Sequence, residues 1–175
     1  MKIIDISTIL NRKPSKQSKM EAKSVDSKTF QLAENGQPLG ELIYESLLSL
    51  SAKIILSNSE FYEIEHIGIF DTSINVTKNG AVIATLKMNW RGQIVFNFHD
   101  GQEFILKAKG LLGNKFTFEN HSDEQLFQLD SQLNWKKLNY NYNIIFTDKP
   151  QNILLILLGV YAANYYMASM SGAMA

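Results

Sequence analysis

The stretch TSINVTKNGAVIATLKM, residues 72–88, alternates apolar and polar side chains on both sides of Asn79-Gly80. Ile74 and Val76 lead into the turn; Val82, Ala84, Leu86 and Met88 lead out of it. Strict period two puts those six side chains on one face of a pleated sheet. Asn-Gly is the favoured type I′ hairpin pair because both central residues need positive φ. Residues 72–88 are therefore expected to form an antiparallel hairpin with one buried face.

Downstream the same grammar continues. Trp90-Arg91-Gly92 turns the chain, and Ile94, Phe96 and Phe98 alternate with Gln93, Val95 and Asn97. Asp100-Gly101 supplies a second tight turn, after which Phe104, Leu106 and Ala108 alternate with polar neighbours. Residues 72–109 thus predict a four-stranded meander with one apolar face. Upstream, TFQLAENGQPLGEL carries Asn35-Gly36 in the hairpin position, with Phe30, Leu32 and Leu42 matching Ile74, Val76 and Leu86. AKIIL (52–56) and FYEIEHIG (61–68) then match GQIVF (92–96) and EFILKAKG (103–110). On the far side, KFTFENHSDEQLFQL (115–129) repeats the hairpin with a longer turn at Asn120–Asp123, and Tyr140, Tyr142, Ile144 and Phe146 alternate inward.

A unit of roughly 42 residues, present about three times, implies ten to twelve strands. The expected fold is mainly β, a closed antiparallel barrel of about 12 strands, since closure removes exposed sheet edges. A propeller is the competing repeat fold, but its blades and channel leave no place for the end of the chain. There, ILLILLGVYAA (153–163) is continuously apolar, and 153–168 carries no charge. As a helix over 153–170 it would be about 27 Å long. Apolar on every side, it needs burial all round. A twelve-stranded barrel encloses more space than its own wall side chains fill, so a central hydrophobic C-terminal helix answers both needs. The alternative is a tail anchor, with 153–171 spanning a bilayer beside a smaller β-domain. Basic residues do not follow the segment, and its tyrosines do not flank both ends, as they would in a typical span.

The N-terminal part reads differently. Residues 1–28 hold seven basic side chains against three acidic ones, a net of +4 that the rest of this neutral chain offsets. The segment is expected to be a basic leader or long loop, with the barrel domain covering 29–175. Arg12, Lys13, Lys16, Lys19 and Lys23 are the candidates for contact with an anionic surface. With no cysteine there is no disulfide or thiolate metal site, which suits a reducing compartment; the chain is expected to be cytoplasmic, and membrane-associated if the leader contacts lipid. Zero net charge gives no field directed at nucleic acid.

No catalytic set emerges. His66, His99 and His121 have no metal-pair spacing. His99-Asp100-Gly101 reads as a turn, and Asn120-His121-Ser122-Asp123-Glu124 places its polar groups side by side in a turn rather than converging them. Gly110 to Lys115 lacks the phosphate-loop spacing, and Asp71, Asp100 and Asp123 lie in separate turns without a calcium-loop pattern. Trp90 and Trp135, 45 residues apart at equivalent positions, are expected to pack in the core. The chain is expected to be non-enzymatic, without cofactor, metal or small-molecule substrate, and to bind an anionic phospholipid surface or another protein.

The segments KNGAVIATLKMNWRGQIVFNFHDGQEFILKAKG (78–110) and ILLILLGVYAANYY (153–166), in this order, resemble the tubby C-terminal-like fold, in its LURP-one-related branch, which is similar in outline to phospholipid scramblases. The resemblance spans about residues 29–170 and implies a twelve-stranded barrel threaded by its C-terminal helix. In that family, tubby proteins bind phosphoinositide headgroups through basic residues, scramblases are linked to calcium-dependent lipid movement, and LURP-one-related proteins to plant defence. The scramblase cysteine cluster and calcium loop have no counterpart here. Lys107, Lys109 and Lys115 lie scattered among acidic residues rather than in a headgroup motif.

Overall fold

The computed structural model describes residues 19–46, 50–67, 73–110, 114–147 and 152–172. Twelve strands follow in chain order: β1 (Met20–Ser24), β2 (Thr29–Glu34), β3 (Gln37–Tyr44), β4 (Ala52–Leu56), β5 (Phe61–Ile67), β6 (Ser73–Lys78), β7 (Ala81–Met88), β8 (Ile94–Phe98), β9 (Glu103–Lys109), β10 (Lys115–Asn120), β11 (Gln125–Asn134) and β12 (Asn139–Phe146). One helix, α1 (Ile153–Met170), ends the fold. Each strand pairs antiparallel with its sequence neighbours, and β1 pairs with β12, so the sheet closes on itself.

The alternation read from the sequence is the inside and outside of this barrel except beside the β6–β7 bulge, where Ile83 rather than the expected Val82 packs against the core. Ile74, Val76, Ala84 and Leu86 are fully buried, as are Phe30, Leu32, Leu42, Ile94 and Phe96 within 1%. Asn79 and Gly80 have φ of 52° and 77°, the left-handed pair that a type I′ turn requires. Asn35 and Gly36 repeat it with 50° and 84°.

The repeat extends to its irregularities. The register shifts between Leu32 and Ala33 in the β2–β3 pair, between Val76 and Thr77 in β6–β7, and between Phe118 and Glu119 in β10–β11. These are equivalent places in three successive units. A bulge bends its strand and increases local twist, so three of them spaced around the ring help it to close.

The units are β2–β5, β6–β9, and β10–β12 completed by β1. Residues 20–24, assigned from the sequence to the leader, are thus a wall strand, and the barrel begins at Met20 rather than Thr29. Met20, Ala22 and Ser24 face inward, and Ser24 N–H donates to Asn141 Oδ1 at 3.0 Å. The charges of Glu21 and Lys23 between them belong to the outer face.

The helix lies in the lumen. It contacts β3, β4 and β9, and β3 and β9 stand six places apart in the ring of twelve. An element that touches both must lie between them. Accordingly Ile156, Leu157, Leu158, Val160, Tyr161, Ala162 and Ala163 are all fully buried. These residues run round the whole helix circumference, since successive side chains are about 100° apart at 3.6 per turn. The helix is long and apolar enough to cross a bilayer, yet its own barrel covers it. Asn152 caps its start, the side chain accepting from Leu154 N–H at 2.8 Å.

Wall and helix match in size. Phe118 and Phe127 stack at 4.7 Å and fill the lumen from one side. The helix presents Gly159 there; a Cβ at Gly159 would lie 3.1 Å from two ring atoms of Phe127. At Gly40 the relation is reversed: the wall residue is bare, and Leu157 Cδ1 would stand 3.1 Å from an added Cβ. Gly159→Leu is therefore expected to lower stability by ~1–3 kcal/mol or more through overpacking, although glycine is a poor helix former. Denaturant unfolding measures it, and pairing the change with Phe127→Ala should recover part of the loss because the two sites share one space.

The polar groups inside are paired. Asn164 accepts from Tyr142 O–H at 2.6 Å and donates to Tyr44 O–H at 3.1 Å; Tyr161 O–H donates to the Leu50 carbonyl at 2.8 Å. Removal from water raises the phenol pKa of Tyr44, Tyr142 and Tyr161 above the ordinary value. Below about pH 10 these tyrosines are neutral whether folded or unfolded. Above it, the unfolded chain loses protons that the folded barrel keeps, so stability must fall as pH rises. With ~1.4 kcal/mol per pH unit for each group, the three together give a slope of roughly 4 kcal/mol per unit. Urea midpoints that hold steady to about pH 9 and drop steeply above pH 10 would show it.

Candidate binding surface

An all-antiparallel meander has two ends, and its connections alternate between them. The strand ends joined by the connections β1–β2, β3–β4, β5–β6, β7–β8, β9–β10 and β11–β12 lie at one end, and the C-terminal part of α1 reaches the same end. Contacts agree: Asn139 Nδ2 donates to the Ser27 carbonyl at 3.3 Å, and the Tyr166 ring passes 3.8 Å from where a Gly92 Cβ would be.

At this end the β7–β8 turn is rigidly built. Asn89 Oδ1 accepts from the N–H groups of Arg91 and Gln93, both at 3.0 Å, and its Nδ2 donates to Gln93 Oε1 at 2.9 Å. Gly92, at φ 71°, closes the turn by donating its N–H to the Asn89 carbonyl at 2.9 Å. The frame holds Trp90 out at 88% exposure, with the Arg91 guanidinium 4.8 Å from its ring centroid. Such a contact is a cation–π pair.

The β11–β12 turn is its counterpart. Lys137 N–H donates to the Asn134 carbonyl at 3.1 Å, and Leu138 takes φ 51°. Trp135 is 77% exposed and Leu138 83%. The left-handed conformation disfavours leucine, and water disfavours its side chain, so neither turn geometry nor packing accounts for it. The two turns are four strands apart, a third of the way round the ring. Met170, at the end of α1, is also exposed at this end.

Trp90 and Trp135, expected in the core, are thus among the most exposed apolar residues of the protein. Their equivalence in the repeat is correct, but the equivalent position is a hairpin tip, not a wall. The sequence signal that marks them is local: each indole follows an asparagine and precedes basic residues, Arg91 in one case and Lys136-Lys137 in the other. Large apolar residues in such turn-forming, charged company are poor core candidates.

Charge separates the two ends. Among the described connections at the tryptophan end are Arg91, Lys136, Lys137 and Lys28, against Asp26 and Glu45. At the other end the described connections hold Glu60, Asp100, Asp123 and Glu124 and neither lysine nor arginine. Of the candidate contacts in the leader, Arg12, Lys13 and Lys16 lie outside the described residues. Lys19 and Lys23 come together on one carboxylate, Glu21, at 3.0 and 2.5 Å, whose pKa their hydrogen bonds lower despite its partial burial. Lys19 precedes β1 and so stands at the acidic end, away from the tryptophans.

Elsewhere the outer wall carries small structural networks. Lys107 bridges Glu119 and Asp123, while Lys78 and the Tyr62 hydroxyl both bind Glu60. His121 lies on the surface 3.7 Å from Glu103. Among the described residues, no group of three or more His, Asp or Glu side chains is placed to hold a metal ion.

No protein-family model matches the sequence, and no curated protein matches it. The barrel is similar to the X-ray structure of a protein from Arabidopsis thaliana, AT5G01750, with a TM-score of 0.57 at 14% identity. The match covers 85% of this chain and 90% of that one. At that identity the likeness establishes a common fold, the twelve-stranded barrel with its C-terminal helix.

Proposed function

Starting from that shared fold, we propose that the chain is a LURP-one-related, tubby-like barrel that works as a non-enzymatic binding module, cytoplasmic and met by its partner on the outside of the barrel. The observation that carries the reading is the exposure of Trp90, Trp135 and Leu138 at one end. A barrel can serve as a cup for a small ligand, but here the chain's own helix occupies the lumen. What remains is the outer surface, and on it these three side chains contribute little to folding. Exposed tryptophan is costly to keep and is enriched at recognition surfaces. The lack of cysteine suits a reducing compartment.

The test compares stability with adhesion. The variant Trp90→Ser/Trp135→Ser/Leu138→Ser is expected to unfold at the parent's temperature or above it, while losing the parent's retention on a phenyl column. A large drop in melting temperature would show that the three residues serve the fold, and the reading would fail.

A further inference from the structure

We propose that the tryptophan end of the barrel docks end-on against an anionic phospholipid bilayer. The inference rests on the reading of that end as a binding surface and names its partner.

Three observations select a bilayer. First, the apolar groups protrude singly from two hairpin tips a third of the ring apart. A protein partner wants a contiguous apolar core ringed by polar groups, whereas separate indoles can each enter the headgroup layer, where tryptophan is enriched. Second, each indole has its cations beside it. Arg91 lies over Trp90, and Lys136 and Lys137 directly follow Trp135. The two turns contain no acidic residue. Indole for the interface and cation for the lipid phosphate therefore reach the surface together. Third, the lysines near the far end are held by carboxylates, Lys19 by Glu21, Lys78 by Glu60 and Lys107 by Glu119 and Asp123, whereas Arg91, Lys136 and Lys137 stand exposed beside the indoles. The cations at the tryptophan end are thus presented to a lipid phosphate.

The test uses the full chain and vesicles of phosphatidylcholine, with or without phosphatidylserine. The protein has two tryptophans, both at this end, so tryptophan emission, excited selectively beyond the tyrosine band, reports on this end alone. We expect co-flotation with phosphatidylserine vesicles, a blue shift of the emission, and a loss of both as salt is raised. Arg91→Gln/Lys136→Gln/Lys137→Gln changes only exposed side chains, and should weaken partition on the order of a hundredfold. The triple serine variant should no longer float. Absence of binding to phosphatidylserine vesicles would overturn the inference. So would binding that survives both variants and is lost in Lys13→Gln/Lys16→Gln, which would assign the lipid to the leader. If the triple serine variant folds as well as the parent while vesicles bind neither, the end remains a binding surface and the bilayer is the wrong partner. If that variant is itself destabilised, the reading beneath the inference falls with it.

Discussion

Leu157→Asp is expected to leave the protein unable to fold at neutral pH. Leu157 is fully buried in the second turn of α1, over the bare backbone of Gly40. The core around it is apolar, and the interior polar groups at Asn164, Tyr142 and Tyr44 are already bonded to each other. A carboxylate there would be desolvated without a partner, at an effective cost of several kcal/mol. The same change also removes a buried leucine, worth a further ~2–5 kcal/mol by analogy with truncation to alanine. Together these match the ~5–15 kcal/mol of net stability typical of a domain. Circular dichroism and size-exclusion elution of the expressed variant would show an unfolded or aggregated chain. A folded, monomeric Leu157→Asp protein would mean that the helix has a polar or mobile environment after all.

Truncation before the helix should be as severe. A chain ending at residue 151 loses Leu154 to Leu158, and at ~1.5–3 kcal/mol for each buried aliphatic side chain those five alone contribute roughly 10 kcal/mol. It would also leave the inner faces of Phe118, Phe127, Leu42 and Ile54 around an empty lumen. An apolar cavity of that size is not tolerated as a void. We expect insoluble expression of 1–151 and soluble, detergent-free expression of 1–175. A bilayer-anchored β-domain would behave in the opposite way, with a well-folded truncation and a full chain that needs detergent.

Much of this architecture is legible along the chain because it is written in local signals. Period two in 73–109, the Asn-Gly turns at 35–36 and 79–80, and an uncharged run from 153 are each visible within a few residues. Each also has one physical meaning here. The wall requires alternation, the type I′ turn requires positive φ, and the lumen requires a helix without a polar face. What escapes is what depends on distant partners. Strand β1 hides because its inward residues are small or modest, Met20, Ala22 and Ser24, and lie between Lys19, Glu21 and Lys23. It pairs along its whole length with β2, as in Ala22 with Leu32, across a turn at 25–28 that lacks an Asn-Gly signal, and it closes the ring on β12, as in Met20 with Ile144. No local pattern records that second partner, more than a hundred residues away. The closing strand of the third unit therefore reads as part of a basic tail.

The tryptophans escape for another reason. Hydrophobicity sorts residues into inside and outside only when the backbone is regular, since alternation is what gives each residue its side. At a hairpin tip that rule stops applying. Trp90 and Trp135 keep their equivalence across the repeat but not the burial that their size alone would suggest. Leu138 adds a conformational anomaly that appears only with the backbone angles in view. The candidate surface was thus readable as composition, aromatic beside basic in two turns, and unreadable as a surface until the ring placed both turns at one end. The leader lysines, prominent in the sequence, divide instead between residues outside the described structure and a pair satisfied by Glu21.

The most direct test of the buried helix uses the natural absence of cysteine. A single thiol is placed at Ala162, which is fully buried on α1, and in a separate chain at the exposed Ser171 just beyond it. Alanine to cysteine adds one sulfur and no charge. In detergent-free buffer, the thiol of Ala162→Cys should react with a maleimide only as fast as the barrel opens, orders of magnitude more slowly than that of Ser171→Cys, and the two rates should converge in denaturant. Equal rates in the folded protein, or a protected thiol seen only when detergent or lipid is present, would contradict a helix enclosed by its own barrel.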